Sequence, residues 1–232
     1  MFGRATAALT EFLFPRRCSG CQTTGAILCS ACAAQLPAVP QPQCLACGLP
    51  LPPGVLCRHC AEFPLSLDAL GAPYVYTANL KSALLRFKYV GARTAAQDLS
   101  PLLGAYVAAT NWQVDGVLGV PLHPRRQRER GFNQADALAA EVGRLLGLPR
   151  LTALERVKDT PPQARQPDRQ ARWSNVAAAF RASGNASING RRILVVDDVC
   201  TTGATLSACG VALRAAGAGA AYGVTLARAL ER

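Results

Sequence analysis

The sequence predicts an α/β protein: a parallel sheet flanked by helices, preceded by a small cysteine-rich appendage. Three observations carry that expectation. From residue 74 onward, short apolar runs alternate with helical periodicity, the order of repeated β–α–β units. The run Ile193-Leu194-Val195-Val196 has no polar position, as a strand covered on both faces requires. Eight of the 10 cysteines fall before residue 61, in a stretch too short to bury a core of its own.

Taken in order, Phe2 to Phe14 groups Leu9, Phe12 and Leu13 on one side of a short helix that Pro15 ends. Four Cys-x-x-Cys pairs follow: Cys18/Cys21, Cys29/Cys32, Cys44/Cys47 and Cys57/Cys60. Each pair puts two thiolates on one tight turn, and two such turns complete a tetrahedral zinc site. About two zinc ions are therefore expected, structural in role because four thiolates close a site. Sequential pairing gives the sets 18/21/29/32 and 44/47/57/60, while the spacing leaves interleaved pairing open. The prolines at 37, 40 and 42 and at 50, 52 and 53 read as spacers. His59, between two ligands, reads as a spectator. An appendage of residues 1–64 and a main domain of residues 65–232 result.

In the main domain, Tyr74-Val75-Tyr76 reads as a short strand. Leu80, Leu84, Leu85 and Val90 predict a helix broken at Gly91, with a second from Ala95 to Ala109. Asp115-Gly116-Val117-Leu118-Gly119-Val120-Pro121 is a second buried strand. A basic loop follows, with Leu122, His123, Arg125, Arg126, Arg128 and Arg130. Asn133 is placed to cap the next helix, next to Gln134. Ala135, Leu138, Ala139, Val142, Leu145 and Leu146 form its apolar stripe, and Gly147 ends it. Lys158 to Asn175 has no apolar period, and a polar loop over 156–176 is expected to serve as a lid. Its candidate contacts are Lys158, Gln163, Arg172 and Asn175, with Arg165 and Arg169 beside them. Tyr222-Gly223-Val224-Thr225-Leu226-Ala227 closes the series as another buried strand.

The run at Ile193 organises the rest. Asp197 and Asp198 end it, Val199 and Cys200 lead out, and Thr201-Thr202-Gly203-Ala204-Thr205 turns into a helix with Leu206, Cys209, Gly210 and Leu213 on one face. In an open α/β sheet the ligand sits beyond the carboxyl ends of the strands. There the backbone amides of Thr202, Gly203 and Ala204 suit a phosphate, and the hydroxyls of Thr201, Thr202 and Thr205 add donors. Two ionised carboxylates accept hydrogen bonds only, which suits the adjacent hydroxyls of a ribose. The unit is fitted to a sugar with a phosphate at one end and a cis-diol at the other. Arginine captures phosphate oxygens in pairs, so the basic loop at the same sheet edge is expected to face a pyrophosphate. Cys200 and Cys209 read as small buried apolar residues.

Composition narrows the classes. The chain has 232 residues, is half hydrophobic and carries a formal net charge of +11, so anionic partners are expected. The excess gathers between Pro121 and Arg172, where 11 basic residues face six acids. No apolar run approaches the roughly 18 residues of a membrane span. The N-terminal stretch, with Arg4 and Glu11, lacks the pattern of a secretory signal. A cytoplasmic protein is expected.

The run from Val195 to Thr205 resembles the phosphoribosyl pyrophosphate (PRPP) motif of type I phosphoribosyltransferases. Around it stand Val120-Pro121-Leu122-His123, then Arg130-Gly131-Phe132-Asn133-Gln134-Ala135, then Thr160-Pro161-Pro162-Gln163 and the Arg172/Asn175 pair. With the four cysteine pairs, this looks like the ComF/GntX family, competence-associated proteins with an N-terminal double zinc ribbon. The resemblance implies a type I phosphoribosyltransferase-like fold. Asp197 and Asp198 would hold ribose hydroxyls and magnesium-bound water, Thr201 to Thr205 the 5′-phosphate, and the Val120–His123 turn and Arg130 the pyrophosphate. It also implies a role in handling single-stranded DNA during natural transformation, with partners in the competence machinery. Where purine-salvage enzymes carry an acid for the base, this chain has Thr201. Two readings follow: transfer of phosphoribose from PRPP to an unnamed acceptor, or a non-catalytic PRPP sensor or single-stranded-DNA-binding protein that uses the basic surface and zinc ribbons.

Overall fold

The computed structural model describes residues 15–87, 92–161, 166–184 and 187–230. The helix expected over Phe2 to Phe14, the break at Val90 and Gly91, and the lid residues Gln163 and Arg165 lie outside them. Two short helical turns, α1 (Ser30–Ala33) and α2 (Arg58–Glu62), belong to the cysteine-rich segment. The main domain then runs β1 (Ala69–Gly71), β2 (Tyr74–Val75), α3 (Ala78–Arg86), α4 (Ala92–Ala108), β3 (Gly116–Gly119), α5 (Pro124–Arg130) and α6 (Gln134–Leu146). It continues with β4 (Leu154–Arg156), α7 (Arg169–Val176), β5 (Phe180–Ala182), β6 (Arg192–Cys200), α8 (Ala204–Ala215) and β7 (Ala220–Arg228).

Four of these strands lie in the order β1-β7-β6-β3, and β2 follows β1 along the same edge of β7. Every pairing in this sheet is parallel. The long strands β6 and β7 share the central register, from Arg192 opposite Ala220 to Cys200 opposite Arg228. Alternate side chains of β6 enter opposite layers. Leu194 and Val196 join Leu84, Leu99, Leu103, Leu138 and Val142 from α3, α4 and α6. Ile193 and Val195 join Leu206, Cys209 and Leu213 from α8. This is why the run tolerates no polar residue: helices cover the sheet on both faces.

The helix over 134–146 is the one the pattern describes most fully. Asn133 Oδ1 accepts from Ala135 N at 3.1 Å, and Gly147 closes the helix in the left-handed region at φ 68°. Its first turn passes so close to Gly119 that a Cβ there would strike the Asp136 amide. Glycine at the end of β3 therefore lets α6 start against the sheet edge.

Several elements depart from expectation. The basic loop after β3 is the helix α5, begun by Pro124 at its first position and ended by Gly131 at φ 77°. The last eight residues of the expected lid form α7, whose Asp168 cap accepts from Ala171 N at 2.7 Å. This helix is held by contacts that carry no sequence period, including a stack of Trp173 on Phe63 at 5.5 Å between ring centroids. The strands β4 and β5 form a separate antiparallel pair that flanks α8. The first proline-rich joint is no free spacer. Val39 N donates to Pro73 O at 3.0 Å and Val75 N to Pro37 O at 2.9 Å, so this segment straps the sheet edge.

The cysteine-rich segment is docked rather than tethered. Cys18 and Ile27 are fully buried in the larger core, and Asp98 of α4 accepts from Ile27 N at 2.8 Å and from Arg16 Nη1 at 2.7 Å. At the other end of the sheet, Asp115 staples β3 to β6. Its carboxylate takes Arg192 Nε at 2.9 Å, Nη2 at 2.7 Å and the Arg192 amide at 2.9 Å. Those bonds hold the Asp115 carboxyl down at about 2. A depressed carboxyl stabilises the fold above its unfolded value of about 3.8, and that contribution disappears as pH falls through about 2. Asp115→Asn is expected to lower the melting temperature modestly at pH 7. The gap to wild type should close between about pH 4 and pH 2; a gap that persists at the acid end would assign the effect to packing instead.

Candidate functional site

The geometry begins where β6 leaves the core. Asp197 and Asp198 do not end the strand; it continues through them to Cys200, paired with β7. Asp198 N donates to Asp197 Oδ1 at 2.9 Å and Val199 N to Asp198 Oδ1 at 2.8 Å, so local amides fix both carboxylates. Burial pushes the Asp197 carboxyl well above its ordinary value, and the charge of Asp198 pushes the same way.

The chain then turns through Gly203, at φ 81°, into α8. That left-handed conformation costs glycine little. A Cβ there would sit 3.1 Å from both Leu65 and Leu70. Thr202 is buried, and its hydroxyl accepts from Ala204 N at 3.4 Å, while Thr201 is exposed and Thr205 half-buried at the mouth. Beneath the loop, the fully buried Arg228 donates to Cys200 Sγ, and burial keeps the thiols of Cys200 and Cys209 high and neutral.

A crevice of about 300 Å³ opens above this turn, lined by Asp197, Asp198, the loop from Thr201 to Thr205, Tyr76 and Arg172. A second recess of about 140 Å³ adjoins it. Arg130, Asn133, Gln134, Leu122 and Arg156 form its far side, and Asp197, Asp198 and Thr205 form the wall common to both. One side of the acid pair thus faces a loop of amides and hydroxyls, and the other faces guanidiniums. Such a pair of compartments can take an anion at each end and hydroxyl groups between them.

The fold brings together most of the residues the sequence nominates, with a clear division. Asp197, Asp198, Thr201 to Thr205, Leu122, Arg130, Asn133, Gln134 and Arg172 line the two compartments. Pro121, His123, Arg125 and Arg126 line neither. His123 Nδ1 caps α5 by accepting from Arg125 N at 3.4 Å. Arg125 reaches Glu129 at 3.2 Å, and Arg126 pairs with Asp159 at 3.3 Å and donates to Thr160 O. Lys158 Nζ donates to Ala177 O and Asn175 Nδ2 to Pro161 O, each at 2.9 Å, which ties α7 to the strand before it. Arg169 lies 5.8 Å above the Phe63 ring, away from the recess it was expected to cover.

Two residues of the site escape sequence reasoning. Arg156, on β4, is buried with its guanidinium 5.3 Å above Phe180; Nη2 donates to Thr160 Oγ1 at 2.5 Å. Its Nε finds no partner among the described residues, and burial, then the charge of Arg126, lowers its pKa. Nothing in Leu154-Glu155-Arg156-Val157 sets it apart from the other arginines. Tyr76 had a usable signal, because it follows β2 at the carboxyl edge where ligands collect. Burial and the nearby Asp198 raise its pKa.

The cysteines resolve the pairing that spacing left open. The four sulfurs of Cys18, Cys21, Cys29 and Cys32 lie within 4.8 Å of one another, and so do those of Cys44, Cys47, Cys57 and Cys60. Cys21 and Cys29 stand 3.6 Å apart, Cys44 and Cys60 3.8 Å, and Cys47 and Cys57 3.6 Å. A tetrahedron of Zn–S bonds of about 2.3 Å spaces its sulfurs at about 3.8 Å, so both sequential sets fit zinc. Among the described residues no helix is long and apolar enough to cross a membrane.

A parallel α/β domain with a paired-acid and amide crevice, carrying two four-cysteine ribbons in front, is the class that fold and site define. Residues 9–61 match a family profile described as a double zinc ribbon domain. Competence protein F of Haemophilus influenzae is 33% identical over 198 residues, covering 82% of this chain and 85% of the relative. DNA utilization protein YhgH of Escherichia coli K12 is 32% identical over 187 residues, with 78% and 81% covered. Competence protein ComFC of Bacillus subtilis is 27% identical over 189 residues, with 77% and 74% covered. The chain belongs to the ComF family of competence protein F and YhgH. Solved structures with partial likeness include an adenine phosphoribosyltransferase, at 16% identity, TM-score 0.38 and coverage of 59% of this chain and 71% of that one. Another is the glutamine PRPP amidotransferase of B. subtilis, at 19% identity and TM-score 0.40, with 58% and 27% covered.

Metal analysis of the purified chain should return two zinc ions, one for each cysteine set. Cys21→Ser and Cys60→Ser should each reduce the count by one and together empty the chain; loss of both ions from either single variant would show that the sites fold as one unit.

Proposed function

We propose that the chain binds PRPP in the crevice and serves in competence and DNA utilization, the roles that its relatives are named for. The observation that carries the first part is the common wall of Asp197, Asp198 and Thr205 between an amide-lined crevice and an arginine-lined recess. The 5′-phosphate takes the turn from Thr201 to Thr205, the ribose hydroxyls take the acid pair, and the pyrophosphate takes Arg130, Arg156 and Asn133. Charge-assisted hydrogen bonds from such groups contribute about 1.5–3 kcal/mol each.

Magnesium fits this site only in company. The acid pair supplies two carboxylates, and this cation usually keeps water and takes substrate phosphate oxygens beside one or two such ligands. Bound with PRPP, it would neutralise part of the pyrophosphate charge. The chain's own residues fix the sugar and place donors where charge develops if pyrophosphate departs through an oxocarbenium-like sugar.

PRPP with magnesium at about 100 times its Kd should contribute about 2.7 kcal/mol, a rise of roughly 5–10 °C in melting temperature for a chain of this size. Asp197→Asn/Asp198→Asn should abolish the rise. Arg156→Ala should weaken PRPP roughly 10- to 150-fold and leave ribose 5-phosphate little changed. Equal shifts in wild type and the double variant would refute the assignment.

A second reading, direct contact with single-stranded DNA, is favoured by α5, where Arg125 and Arg128 are exposed. Phosphate contacts make affinity fall steeply with salt, and Arg125→Ala/Arg128→Ala should weaken binding and flatten that salt dependence. A salt-independent isotherm would remove this reading.

A further inference from the structure

The helix α2 is five residues long, far below the length at which a helix holds itself together in water. No side chain bonds its first turn, and two of its positions are cysteines of the second set: Cys57 at the N-cap and Cys60 within the turn. A metal bonded to both sulfurs fixes the turn at two points and so sets where its far end lies. That end is Glu62 and Phe63. Phe63 N donates to His59 O at 2.8 Å, so the placement of the Phe63 ring follows the turn.

The far end of α2 meets α7. The Phe63 ring stacks on Trp173, with centroids 5.5 Å apart and planes 18° from parallel, and the His59 ring lies 6.2 Å from it. Arg169 stands 5.8 Å over Phe63 and comes within 4.0 Å of Glu62. Support from the main domain gathers at the other end of α7. Val176 is buried in the layer of Leu206 and Leu213, and Asn175 Nδ2 donates to Pro161 O at 2.9 Å. Between the two supports stands Arg172, the one cation among the described residues that line the crevice. It shares that wall with the turn from Thr201 to Thr205. Trp173 follows it directly, so a displaced indole displaces the backbone that carries the guanidinium.

We propose that Phe63 is a positioning residue for Arg172: the second ribbon braces α7 and so aims a guanidinium at the phosphate end of the crevice. The proposal rests on the phosphate-binding reading of that crevice. A guanidinium pairs two phosphate oxygens only in a fixed orientation, so a change of direction costs affinity although the charge remains. Zinc on Cys44, Cys47, Cys57 and Cys60 then does more than fold a ribbon. It sets the affinity of a site in another part of the fold.

A double-mutant cycle, read by isothermal titration calorimetry with ribose 5-phosphate, tests the route. Arg172→Ala should weaken ribose 5-phosphate about tenfold or more, the loss of one charge-assisted contact. Phe63→Ala should produce most of that loss while the chain keeps both zinc ions. Phe63→Tyr, which retains the ring, should return affinity to within about twofold of wild type. The Phe63→Ala/Arg172→Ala chain should bind no more weakly than Arg172→Ala alone. Losses that multiply would show that Phe63 acts elsewhere and would overturn the proposal, as would full affinity in Phe63→Ala. Cys60→Ser, stripped of the second zinc, should match Phe63→Ala. Full affinity there would overturn the metal's part, and if that chain does not fold, the Phe63 cycle still decides. Wild-type binding that Arg172→Ala leaves unchanged would overturn the positioning and leave the crevice standing. A wild-type chain that binds neither ribose 5-phosphate nor PRPP would overturn both.

Discussion

The double-sided burial of β6 is the constraint on which the rest depends. Ile193, Leu194, Val195 and Val196 are completely shielded from water, each worth about 1.5–3 kcal/mol when fully buried. A strand fixed this firmly can deliver two carboxylates to the sheet edge and hold them together. The cost of crowding the acids falls on Asp197, whose proton is held more tightly than a free carboxyl holds it. What emerges is a carboxylate pair held in position by its own strand's amides, flanked by α8 on one side and by α6 on the other.

Much of this was legible in the chain. The run into Asp197, the turn at Gly203 and the stripe of α6 are local patterns, and local patterns survive into the fold when helices cover both faces. The cysteine pairs were legible as ligands, though their grouping into sets was settled only in three dimensions. The unread parts share a physical cause. α5 and α7 are short and have no apolar stripe; α5 is an exposed helix capped by His123 with Pro124 at its first position, and α7 is capped by Asp168 and held by the single contacts of Trp173 and Val176. Reading both as loops overweighted periodicity and underweighted capping. Arg156 belongs to the site because a two-stranded pair happens to end beside the acid pair, and no neighbour in sequence records that.

The arginines illustrate the difference between a charge and a role. Arg125, Arg126, Arg130, Arg156, Arg169 and Arg172 lie in one basic stretch, yet only Arg130, Arg156 and Arg172 border the crevice or its recess. Arg126 is taken up by Asp159 and Thr160, and Arg169 by an aromatic ring of the ribbon segment. Net charge leads to the expectation of an anionic partner for the region. It cannot sort the arginines that border the crevice from those paired internally, because that depends on which acids the fold sets opposite.

The strand order carries a consequence for how the chain comes together as it is made. β7 lies inside the sheet, and β1 and β2, made some 150 residues earlier, join the sheet through it. The scaffold's edge therefore stays open until β7 has been made, a long loop to close and a slow one by contact-order reasoning. With zinc on each cysteine set the ribbons would face no such delay, since ligand binding can fold so small a unit without a scaffold. They would then be ready before the surface on which Cys18 and Ile27 come to rest.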